Sequence, residues 1–460
     1  MLTSEKRLLI KQKIKQFFSN KTIVFCLLFT FFHFLAGFFK YIEILQDGLI
    51  ILAFVILPVQ SALNVFLYIH CFTFSALGGR YPISFIILLS VFVIVITIKY
   101  IIGAKKKVYP VYKPLLIAIS VFVAFYLSIS FFCDIYAEAF CYIGYFFLAY
   151  FFLAMKKEFN IKQLMNYLTA GLIVSCILAL VSIPIPHYIY EAFFDGTRFN
   201  AFLHHPNYLY MIALLVLTYN FYRYLTHNLS SLNFVAIYAV CAMIVLSTLS
   251  KTGIVLLVLF SLLFFVLFLK ENFKKRIIIV LIILLTMAII ALICHKFVFA
   301  LIDRFRVNNG DIINSLLTGR DDIWIAYLKK IVDNPFRFLF GYGLVAEEVF
   351  VSSQHLTRAS HNLFLFLFYR FGLLGVIALM VIAFMFVKCL DKKQVKFVSC
   401  LPILWYLVQS LFDNTFKPYN FIFLFLSVMI MFMDAKDSKT ECMTEKSYEH
   451  KAGQTITYQQ

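Results

Sequence analysis

Apolar runs of about 20 residues recur along nearly the whole chain, broken by short polar segments in which lysine and arginine collect. A bilayer core of about 30 Å is crossed by about 20 helical residues. The pattern therefore predicts spans near 22–39, 42–58, 60–77, 83–103, 114–131, 137–154, 164–184, 206–222, 232–249, 252–269, 277–295, 362–387, 397–412 and 419–433. Between 42 and 77 two readings stay open: two short spans broken at Pro58, or one span plus a loop folded back at the outer face.

Lysine and arginine accumulate in the cytoplasmic loops of membrane proteins, so the loops can be sorted by counting them. Lys6, Arg7, Lys11, Lys13, Lys15 and Lys21 put the N-terminus inside. Lys105-Lys106-Lys107, Lys156-Lys157, Arg223, Lys274-Lys275-Arg276 and Lys392-Lys393 alternate with poorly basic loops, as expected if they too are inside. Basic ends on both sides of residues 22–103 require an even number of crossings there, giving about 12 in total, or about 14. Three segments then face outward: 185–205, the junction around 250, and 296–361. The expected organisation is a basic cytoplasmic N-terminus (1–21), transmembrane helices (22–295), a large periplasmic loop (296–361), C-terminal transmembrane helices (362–433) and a polar cytoplasmic tail (434–460). No small-x-small cleavage site follows the first apolar segment, so it reads as a retained anchor.

Composition agrees and excludes a soluble enzyme: 63% of the 460 residues are hydrophobic and 14% charged, against roughly 25% charged in a soluble domain. The fold class is all-α, a polytopic integral membrane protein. The net charge of +18 is largely topological. The ten cysteines are scattered through apolar segments without metal-ligand spacing and read as small buried side chains; Cys133 and Cys141 lie near an outer loop and could pair. No cofactor motif is visible, so no cofactor is expected.

Four outward positions carry chemistry. Arg198, in GTRFNAFLHHPNYLY, is either a headgroup anchor or a phosphate ligand; Asn200, His204, His205 and Asn207 share its rim, and Pro206 opens a helix whose first N–H groups face out. Backbone donors with a guanidinium make an anion site. Lys251, in LSTLSKTGIVLL, is a lone charge between two apolar runs, either a tight-turn lysine at the interface or a cation in a polar cavity. Arg320, in LLTGRDDIWIAYLKKIV, precedes an amphipathic helix predicted to start after a Thr318 cap, with Asp321 and Asp322 in its first turn. Ile323, Trp324, Tyr327, Leu328 and Ile331 fall at helical spacing, so this helix is expected to lie on the membrane surface, apolar face down. Arg320 is then a surface arginine paired with Asp321 or Asp322, or a bidentate phosphate ligand. His361, in RASHNLFLFLFYRFGLLG, is a helix-start cap or a proton acceptor, histidine being the side chain whose ordinary pKa suits that role near neutrality. Asn362 could orient a hydroxyl, and Gly372 and Gly375 would allow a close helix contact.

Cations and a base on one side of an apolar bundle suit a lipid-linked diphosphate, whose charge needs cations and whose polyprenyl tail needs a greasy groove. No DxD pair occurs in the outer loops, and Asp321 and Asp322 are adjacent and point to different helical faces, which favours a metal-independent site.

Over roughly residues 190–380 the sequence resembles the O-antigen ligase and O-antigen polymerase superfamily of bacterial membrane glycosyltransferases. The similarity rests on Arg198 with His205-Pro206-Asn207, then Ser250-Lys251-Thr252-Gly253, then Gly319-Arg320 with Trp324 and Gly341-Tyr342-Gly343, then Ser360-His361-Asn362 with Gly372 and Gly375, in the family's order. The resemblance implies inverting, metal-independent transfer of glycan from an undecaprenyl-diphosphate-linked donor to a sugar hydroxyl at the outer face of the inner membrane. Arg198 and Arg320 would neutralise the diphosphate, and His361 would deprotonate or position the acceptor. Lys251, Asn362, His205 and Asn207 would bind diphosphate or acceptor. The commoner family residue at position 251 is arginine, so Lys251 is a departure that keeps the charge and loses the fork. The acceptor would be lipid A core for a ligase, towards which the HN…G-x-x-G element leans, or a second lipid-linked glycan for a polymerase. A flippase for lipid-linked oligosaccharide is the alternative of another class; it would place polar residues near the midplane of its spans rather than at their outer ends.

Overall fold

The computed structural model describes residues 20–39, 41–72, 91–99, 113–130, 159–185, 193–195, 198–203, 205–271, 320–343, 348–351, 356–388 and 400–411, with single positions at 102, 423, 426, 427 and 430. Expected spans at 137–154 and 277–295, the basic N-terminal run, the tail, His204, Thr318, Gly319, Cys133 and Cys141 fall outside the described residues. So does most of 419–433.

Within those residues the structure is a helical bundle. Its helices are α1 (Lys21–Ala36), α2 (Ile42–Ile56), α3 (Val59–Ile69), α4 (residues 91–99), α5 (Lys113–Ser130), α6 (Ile161–Ser182), α7 (Pro206–Leu225), α8 (Ser231–Ser247) and α9 (Lys251–Glu271). After these come α10 (Arg320–Val332), α11 (Pro335–Phe340), α12 (Leu363–Lys388) and α13 (Leu401–Ser410). Asn20, Asn160 and Ser230 cap their helices with side-chain oxygens, which satisfies backbone N–H groups that would otherwise be unpaired at helix starts.

The chain reverses at Pro58. A continuous helix would carry Phe54 and Phe66 about 18 Å apart along its axis, whereas their ring centroids lie 6.3 Å apart. Residues 42–72 are thus two short helices laid side by side and broken at Pro58. Proline supplies the break because it has no N–H to continue the ladder. Lys99 donates to the carbonyls of Phe54 and Leu57, closing the C-terminal end of α2.

One large apolar core runs through α1 to α9 and into α12 and α13. The helices also turn apolar side chains outward: Phe31, Leu45, Val121, Leu180, Val258, Leu262, Met380 and Phe384 are all exposed. A soluble protein rarely exposes such continuous apolar surface, and α6 and the Leu363–Met385 part of α12 are long and apolar enough to cross a bilayer.

Two short hairpins interrupt the helices. Phe194–Asp195 (β1) pairs antiparallel with Arg198–Phe199 (β2), and Glu348–Val351 (β3) with Leu356–Ala359 (β4). A second, smaller core of Ile323, Tyr327, Ile331, Val349 and Tyr369 joins α10 and the β3–β4 hairpin to α12. This corrects the expected orientation of α10. Its 323/327/331 face is buried in protein rather than laid on lipid, while Ile325, Leu328 and Val332 form the exposed side.

Candidate functional site

The segment before α7 is a strap tied down at both ends. Phe202 wedges among His33, Phe72 and Phe193, with ring centroids 4.7, 5.9 and 5.1 Å away. His33 is fully buried and meets the Gln46 amide at 3.2 Å. With the strap seated, β2 carries Arg198 to the end of α8. There the guanidinium donates from Nε to the Thr248 carbonyl at 3.0 Å and from Nη2 to Asn207 Oδ1 at 2.9 Å. Asn207 is itself fixed by its backbone N–H, which donates to His205 Nδ1, the cap of α7, at 3.1 Å. Arg198, His205 and Asn207 thus form one hydrogen-bonded group, and Asn207 faces the arginine. Asn200 is buried, with its side-chain oxygen unpartnered among the described residues.

Thr248 belongs to the turn that leads into α9. Ser250 Oγ accepts from the Gly253 N–H at 3.4 Å, the geometry of a helix cap. Gly253 lies against the Tyr210 ring of α7, where a Cβ would overlap it. Ser250 and Gly253 therefore serve the turn, and Lys251 is left half-buried as the first residue of α9. A cation at a helix N-terminus adds to the positive end of the macrodipole, so the place favours an anion.

The other two expected positions lie on segments tied together by one hydrogen bond. Arg320, half-buried, opens α10, and one turn on, Trp324 Nε1 donates to the Ser360 carbonyl at 3.0 Å. That bond fixes the peptide just before His361. His361 has φ of 46°, a left-handed conformation costing a residue with a Cβ about 1–2 kcal/mol. Asn362 then caps α12, accepting from the N–H groups of Phe364 at 2.9 Å and Leu365 at 3.1 Å, and donates to the Leu411 carbonyl at 3.0 Å. Ala201 and Leu249 also have left-handed φ, 50° and 47°. Three of the described loops at the candidate site thus carry a strained residue, as does the turn after α7 at His227 (φ 60°).

The loop after α10 does not stay outside the bundle. Tyr342 and Gly343 donate their N–H groups to the carbonyls of Tyr369 and Arg370 at 2.8 and 2.9 Å, next to a break in α12 at Gly372. Tyr342 stacks on Tyr369 with centroids 4.5 Å apart, while Arg337 and Lys330 sit 5.2 and 5.4 Å from its ring. Burial, then Tyr369, pushes the Tyr342 hydroxyl above its ordinary pKa, against the pull of Lys330 and Arg337. Gly372 makes the close contact expected of it, with this loop; Gly375 does not, for a Cβ there would meet only Phe371 of its own helix.

The sequence reading missed the groups that hold these side chains. The Thr248 and Ser360 carbonyls are main-chain atoms that no residue type marks. Trp324, an indole among apolar neighbours, is the one signal that pointed at such a bond. Nor does the sequence single out Arg370, buried with its guanidinium 4.5 Å from the Phe366 ring. Among the described residues no three His, Cys, Asp or Glu side chains converge on a point where a metal could sit.

An apolar helical bundle with exposed apolar faces, two helices long and apolar enough to cross a bilayer, and cation-bearing loops fits the class of membrane proteins. Within that class, residues 235–380 match the O-antigen ligase family, so this part of the chain carries a domain of the O-antigen ligase and polymerase superfamily. The match covers a minority of the chain. It includes Lys251, Arg320, Trp324, His361 and both glycines of the α11–α12 contact, and it leaves out Arg198. No curated protein matches the chain.

Proposed function

We propose that the protein is a membrane glycosyltransferase of the O-antigen ligase type. It would transfer glycan from an undecaprenyl-diphosphate carrier to a sugar hydroxyl of lipid A core, at the periplasmic face of the inner membrane. The observation that carries the reading is the Arg198–Asn207–Thr248 group. It spends two donors of the guanidinium, Nε and Nη2, on fixed acceptors and so holds the cation rigidly near the start of α9, where Lys251 stands.

In this mechanism the acceptor hydroxyl oxygen attacks the anomeric carbon from the face opposite the diphosphate. The carbon–oxygen bond to phosphate breaks with inversion, and the hydroxyl proton passes to His361. Arg198, Lys251 and Arg320 stabilise the charge gathering on the departing diphosphate, an effect that needs fixed cations more than numerous ones and no metal. His205 and Asn207 act in the first instance by holding Arg198, and Asn362 by holding the start of α12.

A deletion strain tests the reading. Free core with long carrier-linked chains supports a ligase. Core capped by single units identifies a polymerase instead, and glycan units stranded on the cytoplasmic side identify a flippase. Arg320→Ala and His361→Ala should each abolish joining at normal protein abundance; full activity in both rejects the assigned residues.

A further inference from the structure

Just inward of Asn207 and of Leu411, the partner of Asn362, α7 and α13 line a half-open pocket with room for about one water molecule. Its lining combines apolar Met211, Leu214 and Phe423 with polar Trp405, Gln409 and Ser427. Gln409 is 5% exposed and Ser427 0%. Trp405 Nε1, Gln409 Nε2 and Ser427 Oγ are buried atoms with no hydrogen-bond partner among the described residues. An unsatisfied buried donor costs about 1–3 kcal/mol, so three facing one cavity mark a ligand rather than ordinary packing. Trp405 and Gln409 stand four residues apart on α13 and present their N–H groups from one helical face.

We propose that this cavity binds ordered water. No lining residue is charged, which argues against phosphate, and a polyprenyl or acyl chain would leave all three polar groups unpaired. Water supplies what the lining asks for. It accepts from the Trp405 indole and the Gln409 amide and donates to the hydroxyl oxygens of Ser427 and of Thr218, whose own proton is given to the Leu215 carbonyl at 3.0 Å. Polar cavities with several such partners hold water, and apolar ones stay dry. The contact of α13 with α7 is then a hydrated layer directly below the outer rim. This inference does not depend on the transfer reaction.

The chain has two tryptophans, so Trp324→Phe leaves Trp405 as its sole indole. With ¹⁵N-labelled indole and the full-length protein in phospholipid nanodiscs, the Trp405 N–H should show a magnetisation-transfer cross-peak to water. Ser427→Ala should weaken that cross-peak, and adding Gln409→Leu should remove it. An indole signal with no water cross-peak, or with cross-peaks to acyl-chain methylenes alone, overturns the proposal.

Discussion

Gly341 and Gly372 meet backbone to backbone, each in a conformation that only glycine adopts readily. Gly341 has φ 77° and ψ −178°, and Gly372 has φ 63° and ψ −174°. A Cβ on Gly372 would overlap the Gly341 nitrogen and the Leu339 carbonyl, and one on Gly341 would overlap the Arg370 carbonyl. The break at Gly372 interrupts the helical bonding of Tyr369 and Arg370, whose carbonyls take the Tyr342 and Gly343 N–H groups. Gly372→Ala is expected to lose about 2 kcal/mol or more of stability and most glycan joining. Gly48→Ala, in α2, where a Cβ would meet nothing within 4 Å, should cost far less. Thermal unfolding in detergent beside a joining assay distinguishes them; equal effects would mean the contact is dispensable.

Arg198 has little freedom to be replaced. Lysine keeps the charge and loses the fork that reaches Thr248 and Asn207 together. Arg198→Lys should therefore fall close to Arg198→Ala in activity, at least tenfold below wild type. Asn207→Asp is the sharper probe. It retains an acceptor for Nη2 and adds a negative charge beside the proposed diphosphate site, so the donor KM should rise while the protein folds normally. A donor KM unchanged in both Arg198→Lys and Asn207→Asp would separate this arginine from the donor.

Trp324→Phe keeps the ring and removes the N–H that holds the Ser360 carbonyl. Leaving that acceptor unpaired is worth about 1–3 kcal/mol. Because the carbonyl belongs to the peptide before strained His361, the loss should fall on kcat, by roughly tenfold, with the donor KM little changed. A rise in KM alone would place Trp324 in substrate binding instead.

Much of the bundle was legible because apolar periodicity and span length report directly on helices. The expected start of one span at residue 206 coincides with the observed start of α7, for a physical reason visible in the residues: His205 caps and Pro206 opens. The face of α10 was legible and its partner was not. Ile323, Tyr327 and Ile331 are the face that the spacing picks out, but nothing local says that it packs on Tyr369 and Val349, distant in sequence, rather than on lipid. The landmarks at 198, 251, 320 and 361 were legible as residue types in order. Their ties were not, since Arg198 and Trp324 act through main-chain carbonyls. The glycine pair was half legible: G-x-G and G-x-x-G both stood out, but nothing local says that the first docks onto the break made by the second.

Lys251 gives the last prediction. As the first residue of α9 it sets a positive charge beside the positive end of a helix capped by Ser250, an arrangement costing about 0.3–1 kcal/mol when no anion is bound. Lys251→Gln relieves that repulsion. The variant should gain less stability from added lipid diphosphate than wild type does. Lys251→Arg restores the charge and adds the fork, so it should keep or improve the donor KM. The pair of measurements is decisive in both directions. A glutamine variant stabilised by lipid diphosphate as strongly as wild type would mean that Lys251 is an interface lysine, and that the cations of the site are Arg198 and Arg320 alone.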